Sequence, residues 1–144
     1  MSFPEFAWVI LRHGSHFLLI QRSGHSRHWP HYWGFPGGKK EADEDLFTAA
    51  RRELQEEIGV SIEKSDIIST ICIDAHYIDG DRRNTLFLFD VWEGIPENLE
   101  PKIHSDIGWF TRDEFPEPMI SHINWWLGAL LEWEESFEYH GTST

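Results

Sequence analysis

The segment spanning residues 37–60, GGKKEADEDLFTAARRELQEEIGV, constrains the fold of this 144-residue chain more than any other. It predicts a helix that begins after Asp45, a residue type that caps helix N-termini, and ends at Gly59, a residue type that favours the left-handed conformation after a helix. Apolar residues recur at helical spacing and form one broad sector: Leu46, Phe47, Ala50, Leu54 and Ile58. The helix must therefore cover a core with one face.

Three glutamates of this helix, Glu53, Glu56 and Glu57, share a face because they stand at positions i, i+3 and i+4. Like charges at this spacing repel each other by about a few tenths of a kcal/mol per pair. One explanation is a solvated face paired with Arg51 or Arg52. The other is a site for a hard divalent cation such as Mg²⁺, which binds carboxylate oxygens and bridges them to phosphates. The acids border the apolar sector instead of lying opposite it, and this position favours the cation.

The composition limits the class of partner. There are 25 acidic and 12 basic residues, for a net charge of −13, which argues against binding a long nucleic acid through its phosphates. The start of the chain lacks a signal-peptide pattern and no apolar run approaches ~18 residues, so we expect a soluble, cytoplasmic protein without membrane contact. The lone Cys72 excludes an internal disulfide, agrees with a reducing compartment, and is predicted to be a small buried side chain on a strand.

The remaining chain predicts strands, turns and one more helix. Apolar and β-branched runs predict strands at 5–12, 16–23, 66–78, 84–94 and 106–111, with turns at 13–15 and 79–83. The strands at 66–78 and 84–94 alternate imperfectly, which predicts a sheet covered on both faces. The stretch 24–38 is rich in Gly, Pro and His and predicts an irregular functional loop.

A short helical turn at 112–115 precedes a closing amphipathic helix at 119–139. Its predicted apolar stripe is Ile123, Trp126, Leu130, Trp133 and Phe137. Trp125 lies off this stripe and could contact a second copy of the chain, although closing the core is the simpler role for the helix. The order of elements contains too few helices for repeated βαβ units. We therefore predict one domain, 1–144, of α+β class, with a mixed sheet between two helices in an α/β/α sandwich.

From Gly38 the chain reads G, five residues, Glu44, seven residues, then RELQEEIGV, ending at Val60. This segment resembles the Nudix box GX5EX7REUXEEXGU at every specified position. The WGFPGG motif at 33–38, the LLIQRS strand before it and the WFTRDEFPEP segment at 109–118 look like their counterparts in MutT-like Nudix hydrolases. The resemblance implies an α/β/α Nudix sandwich that hydrolyses a diphosphate linkage in a nucleoside diphosphate derivative, with Mg²⁺ or Mn²⁺ as cofactor.

The resemblance also implies roles for individual residues. It implies one set of metal ligands: Glu53, Glu56, Glu57 and a backbone carbonyl at Gly37. Glu53 or Glu57 would also help to deprotonate the attacking water. Arg52 would orient the catalytic carboxylates and pair with Glu44 across the start of the helix. Gly37 and Gly38 would let the loop turn sharply.

Many family members add an acid from outside the box, often just before the tryptophan that corresponds to Trp109. This chain has Gly108 there. The nearest acidic substitutes are Asp106, Glu100 and Asp74, and the sequence does not choose among them.

Candidate substrate contacts are less well specified. Guanidinium groups bind phosphate in a planar, bidentate way, and the candidates are Arg22, Arg27, Arg82 and Arg83. The aromatic loop could stack a base through Trp29 or Tyr32, which we expect to be exposed, or through Trp33, which could instead pack under the loop. In the MutT-like branch that removes oxidised guanine nucleotides, an asparagine after the WF strand reads the base. Met119 stands at about that place, which argues against guanine-specific recognition and suits an apolar contact.

The histidines at every third position of the same loop, His25, His28 and His31, look like a metal site. The loop lacks helical regularity and a fourth ligand, so we expect solvated histidines or hydrogen bonds to substrate instead of zinc.

The predicted reaction is the hydrolysis of a nucleoside triphosphate, including oxidised or modified ones, to monophosphate and pyrophosphate. Alternative substrates are ADP-ribose, a nucleotide sugar and a dinucleoside polyphosphate. A non-catalytic nucleotide-binding module is disfavoured because the box retains all of its glutamates. The sequence predicts a monomer or homodimer that binds no nucleic acid polymer.

Overall fold

The structure, a computed structural model, describes residues 3–77, 80–120 and 123–142, and side chains as far as residue 132. The strands follow in this order: β1 (Glu5–His13), β2 (His16–Arg22), β3 (Trp33–Gly34), β4 (Gly37–Lys39), β5 (Ser69–Tyr77), β6 (Gly80–Phe89) and β7 (His104–Thr111). Helix α1 (Leu46–Ile58) lies between β4 and β5, and helix α2 (Ile123–Thr142) follows β7. Short 3₁₀ turns occur at Lys64–Asp66 and Arg112–Glu114.

The strands form one mixed sheet with the order β3-β2-β1-β6-β5, to which β4 adds beside β1 and β7 beside β2. Strand β1 pairs with β6 in parallel, and the other pairs are antiparallel. Helix α1 packs on one face of the sheet and α2 on the other, each over its own apolar cluster. The predicted α/β/α sandwich of α+β class is confirmed.

Helix α1 begins and ends at the predicted residues. The Asp45 side chain accepts a hydrogen bond from the Thr48 backbone N–H at 2.8 Å, which satisfies one open donor of the first turn. At the other end Gly59 adopts φ 71°, and its N–H donates to the Gln55 carbonyl. The buried face of the helix is Ala49, Ala50, Leu54, Glu57 and Ile58, so one of the box glutamates is itself in the interior.

Several predicted boundaries are wrong. The stretch 24–38 is not wholly irregular, because β3 and the start of β4 lie within it and pair with β2 and β1. The predicted turn at 79–83 is largely strand, since β6 already begins at Gly80; residues 78 and 79 lie outside the described residues. Strand β6 ends at Phe89, where the prediction continued to residue 94. Local polarity at 79–83 misled the prediction, because pairing with β5 holds these polar residues in a long hairpin.

Strand β5 corrects two predictions. It is the edge of the sheet, and its residues alternate between exposed and partly buried, so only the face toward α2 is covered. By contrast, Asn84 to Phe89 of β6 are buried on both faces, as predicted. Cys72 stands on the uncovered face of β5 and is exposed, so the prediction of a buried cysteine is wrong.

Helix α2 closes the second core through Ile123, Trp126 and Leu130, as its stripe predicts. The side chains of Trp133 and Phe137 lie outside the described residues. Trp125 is exposed. Within residues 3–77, 80–120 and 123–142, no helix combines the length and apolar character needed to cross a bilayer.

Candidate active site

One cavity of about 290 Å³ opens between the box helix, the sheet and the start of α2. Its wall includes acids from two segments of the chain: Glu53, Glu56, Glu57 and Glu100. Arg22 and Arg82 line the same space, as do several aromatic side chains. The cavity therefore combines a dense negative wall with cationic and apolar surfaces.

The two glycines that precede the box helix are required by close contacts. A Cβ at Gly37 would lie 2.1 Å from the Ala7 backbone oxygen, and the residue has φ 145°, which disfavours any side chain. A Cβ at Gly38 would lie 2.7 Å from the carboxylate of Glu53. These glycines belong to β4, whose register with β1 pairs Gly37 with Trp8. Sheet pairing therefore places the loop backbone directly against the carboxylates.

Arg52 connects Glu44, just before the start of the helix, with Glu53 on the acidic face of the helix. Its Nε and Nη2 donate to the two oxygens of Glu44 at 3.1 and 2.7 Å. Its Nη1 donates to Glu53 Oε1 at 3.0 Å. Hydrogen bonds from Arg52 and from the Glu41 backbone N–H lower the pKa of Glu44. The bidentate contact with Glu44 fixes the orientation of the guanidinium group, whose single Nη1 hydrogen bond in turn restrains the Glu53 carboxylate.

Glu57 is a buried acid without an ion-pair partner among the described residues. It is 4% exposed, and the Gly37 N–H donates to its Oε2 at 3.3 Å. Its carboxyl group is hydrogen-bonded to that of Glu53. Burial, followed by the hydrogen bond and charge of Glu53, raises the pKa of Glu57 well above its ordinary value. A buried carboxylate is costly unless a positive charge compensates it, so this arrangement calls for a cation.

The carboxylates fit a hard divalent cation by donor type. Oxygen ligands are those that Mg²⁺ and Mn²⁺ prefer. Glu56 is half-exposed and points toward Arg52, with its Oε2 3.6 Å from Nη1. Accordingly, no three acidic or histidine side chains of the described residues already converge on one point.

Among the three candidate outer acids, the structure brings only Glu100 to the cavity. Burial and the negative charges of Glu56 and Glu53 raise the pKa of Glu100, which shows that these groups are close. Asp106 is exposed on β7, where its Oδ1 accepts from the Ile107 N–H. Asp74 pairs with Arg83 at 2.7 Å on the surface of the hairpin.

Glu100 reaches the box because its segment binds the end of α1. The backbone N–H groups of Glu97 and Leu99 donate to the carbonyls of Ile58 and Glu57 at 3.1 and 2.9 Å. These carbonyls belong to the last turn of the helix, where no intrahelical donor remains. The box helix and the outer acid therefore share one hydrogen-bonded frame.

Of the four candidate arginines, Arg22 and Arg82 line the cavity, whereas Arg27 and Arg83 are not part of its lining. Arg27 is exposed, and Arg83 is held by Asp74. Burial lowers the pKa of Arg22, and the nearby charge of Glu57 opposes that shift. Arg22 is therefore a cation placed close to the carboxylates, where a phosphate would need one.

The aromatic loop is divided between the core and the cavity. Trp33 is buried and packs edge to face on Phe110, with ring centres 5.1 Å apart, so it supports the loop and does not line the cavity. Trp29 lines the cavity and contacts Tyr32; both are half-buried, more than predicted. Met119 is not part of the lining either, because its backbone bridges to Trp33 while Ile120 faces the cavity.

The three histidines of the loop lie at its surface. His25, His28 and His31 are exposed, and within the described part of the chain they do not belong to any group of three potential metal ligands. The expectation of solvated histidines agrees with this placement.

The sequence did not predict several of the residues that line the cavity as site residues: Trp8, Tyr77, Asn84, His104 and Trp126. Asn84 had one recognisable signal, a polar residue that opens the otherwise apolar run NTLFLF. His104 is 8% exposed, and its Nδ1 has no hydrogen-bond partner among the described residues. Burial, with the positive charge of Arg22, lowers the pKa of His104 and favours the neutral ring.

Known proteins are similar to this chain in sequence and in fold. The family model of the NUDIX domain matches residues 2–133. The chain belongs to the Nudix family. An 8-oxo-dGTP diphosphatase of Proteus vulgaris is 36% identical to this Nudix protein over 102 residues, which cover 71% of this chain and 87% of the relative. An 8-oxo-dGTP diphosphatase of Escherichia coli (strain K12) is 31% identical over 126 residues, covering 83% and 95%.

A solved structure confirms the Nudix fold. The MutT Nudix hydrolase from Burkholderia pseudomallei matches with a TM-score of 0.72 at 24% identity, over 85% of this chain and 94% of that one. This Nudix protein is thus a MutT-like pyrophosphohydrolase. Nudix hydrolases use divalent metal ions, and a small-molecule nucleotide is the kind of substrate that fits a MutT-like enzyme.

Proposed function

We propose that this Nudix hydrolase cleaves a nucleoside triphosphate, including oxidised ones, to the monophosphate and pyrophosphate with Mg²⁺ as its cofactor and Mn²⁺ as a substitute. The observation that carries the proposal is the buried Glu57, which has no ion-pair partner among the described residues and lies in one cavity with three further acids and Arg22. The relatives from Proteus vulgaris and Escherichia coli are 8-oxo-dGTP diphosphatases, and this supports a triphosphate substrate.

The four acids of the cavity wall would hold the cation together with the Gly37 backbone. When bound there, such a cation would supply the positive charge that neutralises phosphate oxygens and lowers the pKa of a water molecule. Arg22 would bind the phosphate chain beside the cation, because Arg22 lines the same cavity and guanidinium donors match phosphate oxygens in a bidentate way.

Glu53 and Glu57 would accept the proton of the attacking water as one coupled pair, since their carboxyl groups are hydrogen-bonded to each other. Burial and the neighbouring Glu53 raise the pKa of Glu57, which makes its carboxylate a stronger base. Arg52 would act as a positioning residue that fixes Glu53 from behind. Glu44 in turn fixes Arg52.

The test is a hydrolysis panel of ordinary and oxidised deoxynucleoside triphosphates, ADP-ribose, a nucleotide sugar and a dinucleoside polyphosphate, each with Mg²⁺ and with EDTA. We expect a triphosphate to be the best substrate, pyrophosphate as its product, and no turnover in EDTA. The variants Glu53→Gln, Glu56→Gln and Glu57→Gln should each lose at least ~100-fold in kcat/KM. Removing a residue that only supports a metal ligand already costs up to ~100-fold, so the loss of a ligand itself should cost at least as much. Glu63→Gln is the matched control, because Glu63 is exposed and pairs only with Arg51 at 3.6 Å among the described residues.

Turnover by the three box variants equal to that of Glu63→Gln would refute the assignment of the site. Nucleotide binding without hydrolysis of any compound would favour the non-catalytic binding module. Preference for ADP-ribose would retain the site and replace the substrate. The predictions of a monomer or homodimer and of a cytoplasmic location stand as part of this proposal, and light scattering after size-exclusion chromatography tests the first.

A further inference from the structure

The cavity has a second wall, opposite in character to the acidic one. It is formed by the α2-facing side of the sheet and by the start of α2, and its apolar members are Trp8, Ile120, Ile123 and Trp126. Flat apolar surfaces of this kind accept the faces of a nucleobase. One amide, Asn84, lies in this wall and is 1% exposed. An amide in such a place is costly unless its donors and acceptors are used.

The orientation of the Asn84 amide is fixed by Trp8. The indole Nε1–H donates to Asn84 Oδ1 at 2.9 Å. An indole N–H can only donate, so the amide atom that it contacts must be the oxygen, and the usual ambiguity between the two amide atoms disappears. The Asn84 Nδ2 donates weakly to the Ile73 carbonyl at 3.4 Å. Its second hydrogen has no acceptor within the described part of the chain.

We propose that Asn84, oriented by Trp8, donates this second hydrogen to a ring-carbonyl oxygen of the nucleobase and thereby selects bases that carry an oxo group over bases that carry an amino group at that edge. The inference rests on the proposed function, because it names the base class of the same substrate. An amino group facing Asn84 would meet a donor, since the amide oxygen is already occupied by the indole. Two donors that face each other in a buried place both lack an acceptor. This cost allows a polar site to reject a substrate that carries the wrong group.

The test compares two nucleotides that differ at one edge, dITP with a 6-oxo group and dATP with a 6-amino group. The readouts are kcat/KM with Mg²⁺ and the dissociation constants of the products dIMP and dAMP by calorimetry. We expect the wild type to favour the oxo member by roughly tenfold, the discrimination that one buried neutral hydrogen bond gives. The control is Trp125→Phe, which changes an exposed tryptophan outside the cavity lining.

Two variants should change the oxo-to-amino ratio in different ways. Asn84→Leu keeps a similar side-chain volume and removes the donor. The kcat/KM for dITP should therefore fall roughly tenfold, while the kcat/KM for dATP changes little. Trp8→Phe frees the amide oxygen, so the Asn84 amide can rotate and accept a hydrogen bond from the amino group of the base. The kcat/KM for dATP should therefore rise relative to that for dITP. If Trp8 and Asn84 had only a structural role, the variants would lower kcat/KM for both substrates by the same factor. If Asn84→Leu does not fold, Trp8→Phe alone decides the question.

An unchanged ratio in both variants, or a wild type that favours dATP, overturns the assignment of Asn84. If triphosphates are hydrolysed and only the ratio fails, the proposed function stands and the base assignment falls. If no triphosphate is hydrolysed but dIMP binding depends on Asn84, the proposed reaction falls while the recognition of the oxo base stands.

Discussion

Replacing Glu57 by glutamine should stabilise the metal-free protein while it removes activity. The glutamine keeps an oxygen that can accept from the Gly37 N–H and gains a donor for Glu53, so the two hydrogen bonds of this side chain survive. What disappears is a buried acid whose pKa is raised by burial and by Glu53. The change therefore separates the cost of a buried charge from the contribution of its contacts.

The sign of the pH dependence follows from the direction of the pKa shift. Because the pKa of Glu57 is higher in the folded than in the unfolded chain, its contribution to stability is complete below the unfolded value of about 4.5 and is lost as pH rises toward the raised value. Across that window the free energy of unfolding of the wild type should fall by about 1.4 kcal/mol per pH unit relative to Glu57→Gln.

The assay is urea unfolding in EDTA from pH 5 to 8, with Glu63→Gln as the surface control. The free energies of unfolding of the wild type and of the control should depend on pH in the same way. The free energy of unfolding of Glu57→Gln should rise relative to both as the pH increases. Saturating Mg²⁺ should remove much of the divergence, because a cation that binds the folded state stabilises the wild type more than the variant. Parallel behaviour of wild type and Glu57→Gln in EDTA, or a variant that becomes relatively less stable with pH, would refute the reasoning.

Three further substitutions test other parts of the site. Gly38→Ala places a methyl group 2.7 Å from the Glu53 carboxylate, so we expect a loss of roughly 10- to 100-fold in kcat/KM with an unchanged circular dichroism spectrum. Arg52→Lys cannot reproduce the bidentate contact with Glu44, so the Mg²⁺ concentration for half-maximal activity should rise roughly 10-fold or more in a metal titration. Asp45→Ala removes the helix cap and should cost about 1 kcal/mol in chemical unfolding while kcat stays within twofold.

The parts of the site that lie on one helix were predictable from the sequence, because helical geometry converts spacing into direction. The caps at Asp45 and Gly59 and the shared face of the box acids follow from residue type and local periodicity, whereas the pairing of Arg52 with Glu44 is implied only by the resemblance to the Nudix box. The same holds for the hairpin of β1 and β2, whose turn contains Gly14 with φ 61°.

The parts of the site that depend on strand phase were not predictable. Adjacent strand residues point to opposite faces, so the choice between Arg82 and Arg83 depends on where β6 begins and how it pairs. The sequence placed a turn at 79–83 and left that phase undefined. The contact between Trp8 and Asn84 spans 76 positions and exists because β1 and β6 run in parallel, a pairing that local patterns do not reveal.

The attachment of the 97–100 segment to the end of α1 has a consequence for engineering. The donors at Glu97 and Leu99 fix the position of Glu100 relative to the box helix, whatever path the chain takes to reach them. The preceding stretch includes the exposed residues Val91 and Ile95, which bury little surface. An inserted tag or fluorophore-labelling peptide between residues 94 and 97 should therefore leave the acidic wall in place. This stretch is consequently a natural attachment point for a sensor that reports nucleotide turnover from beside the cavity.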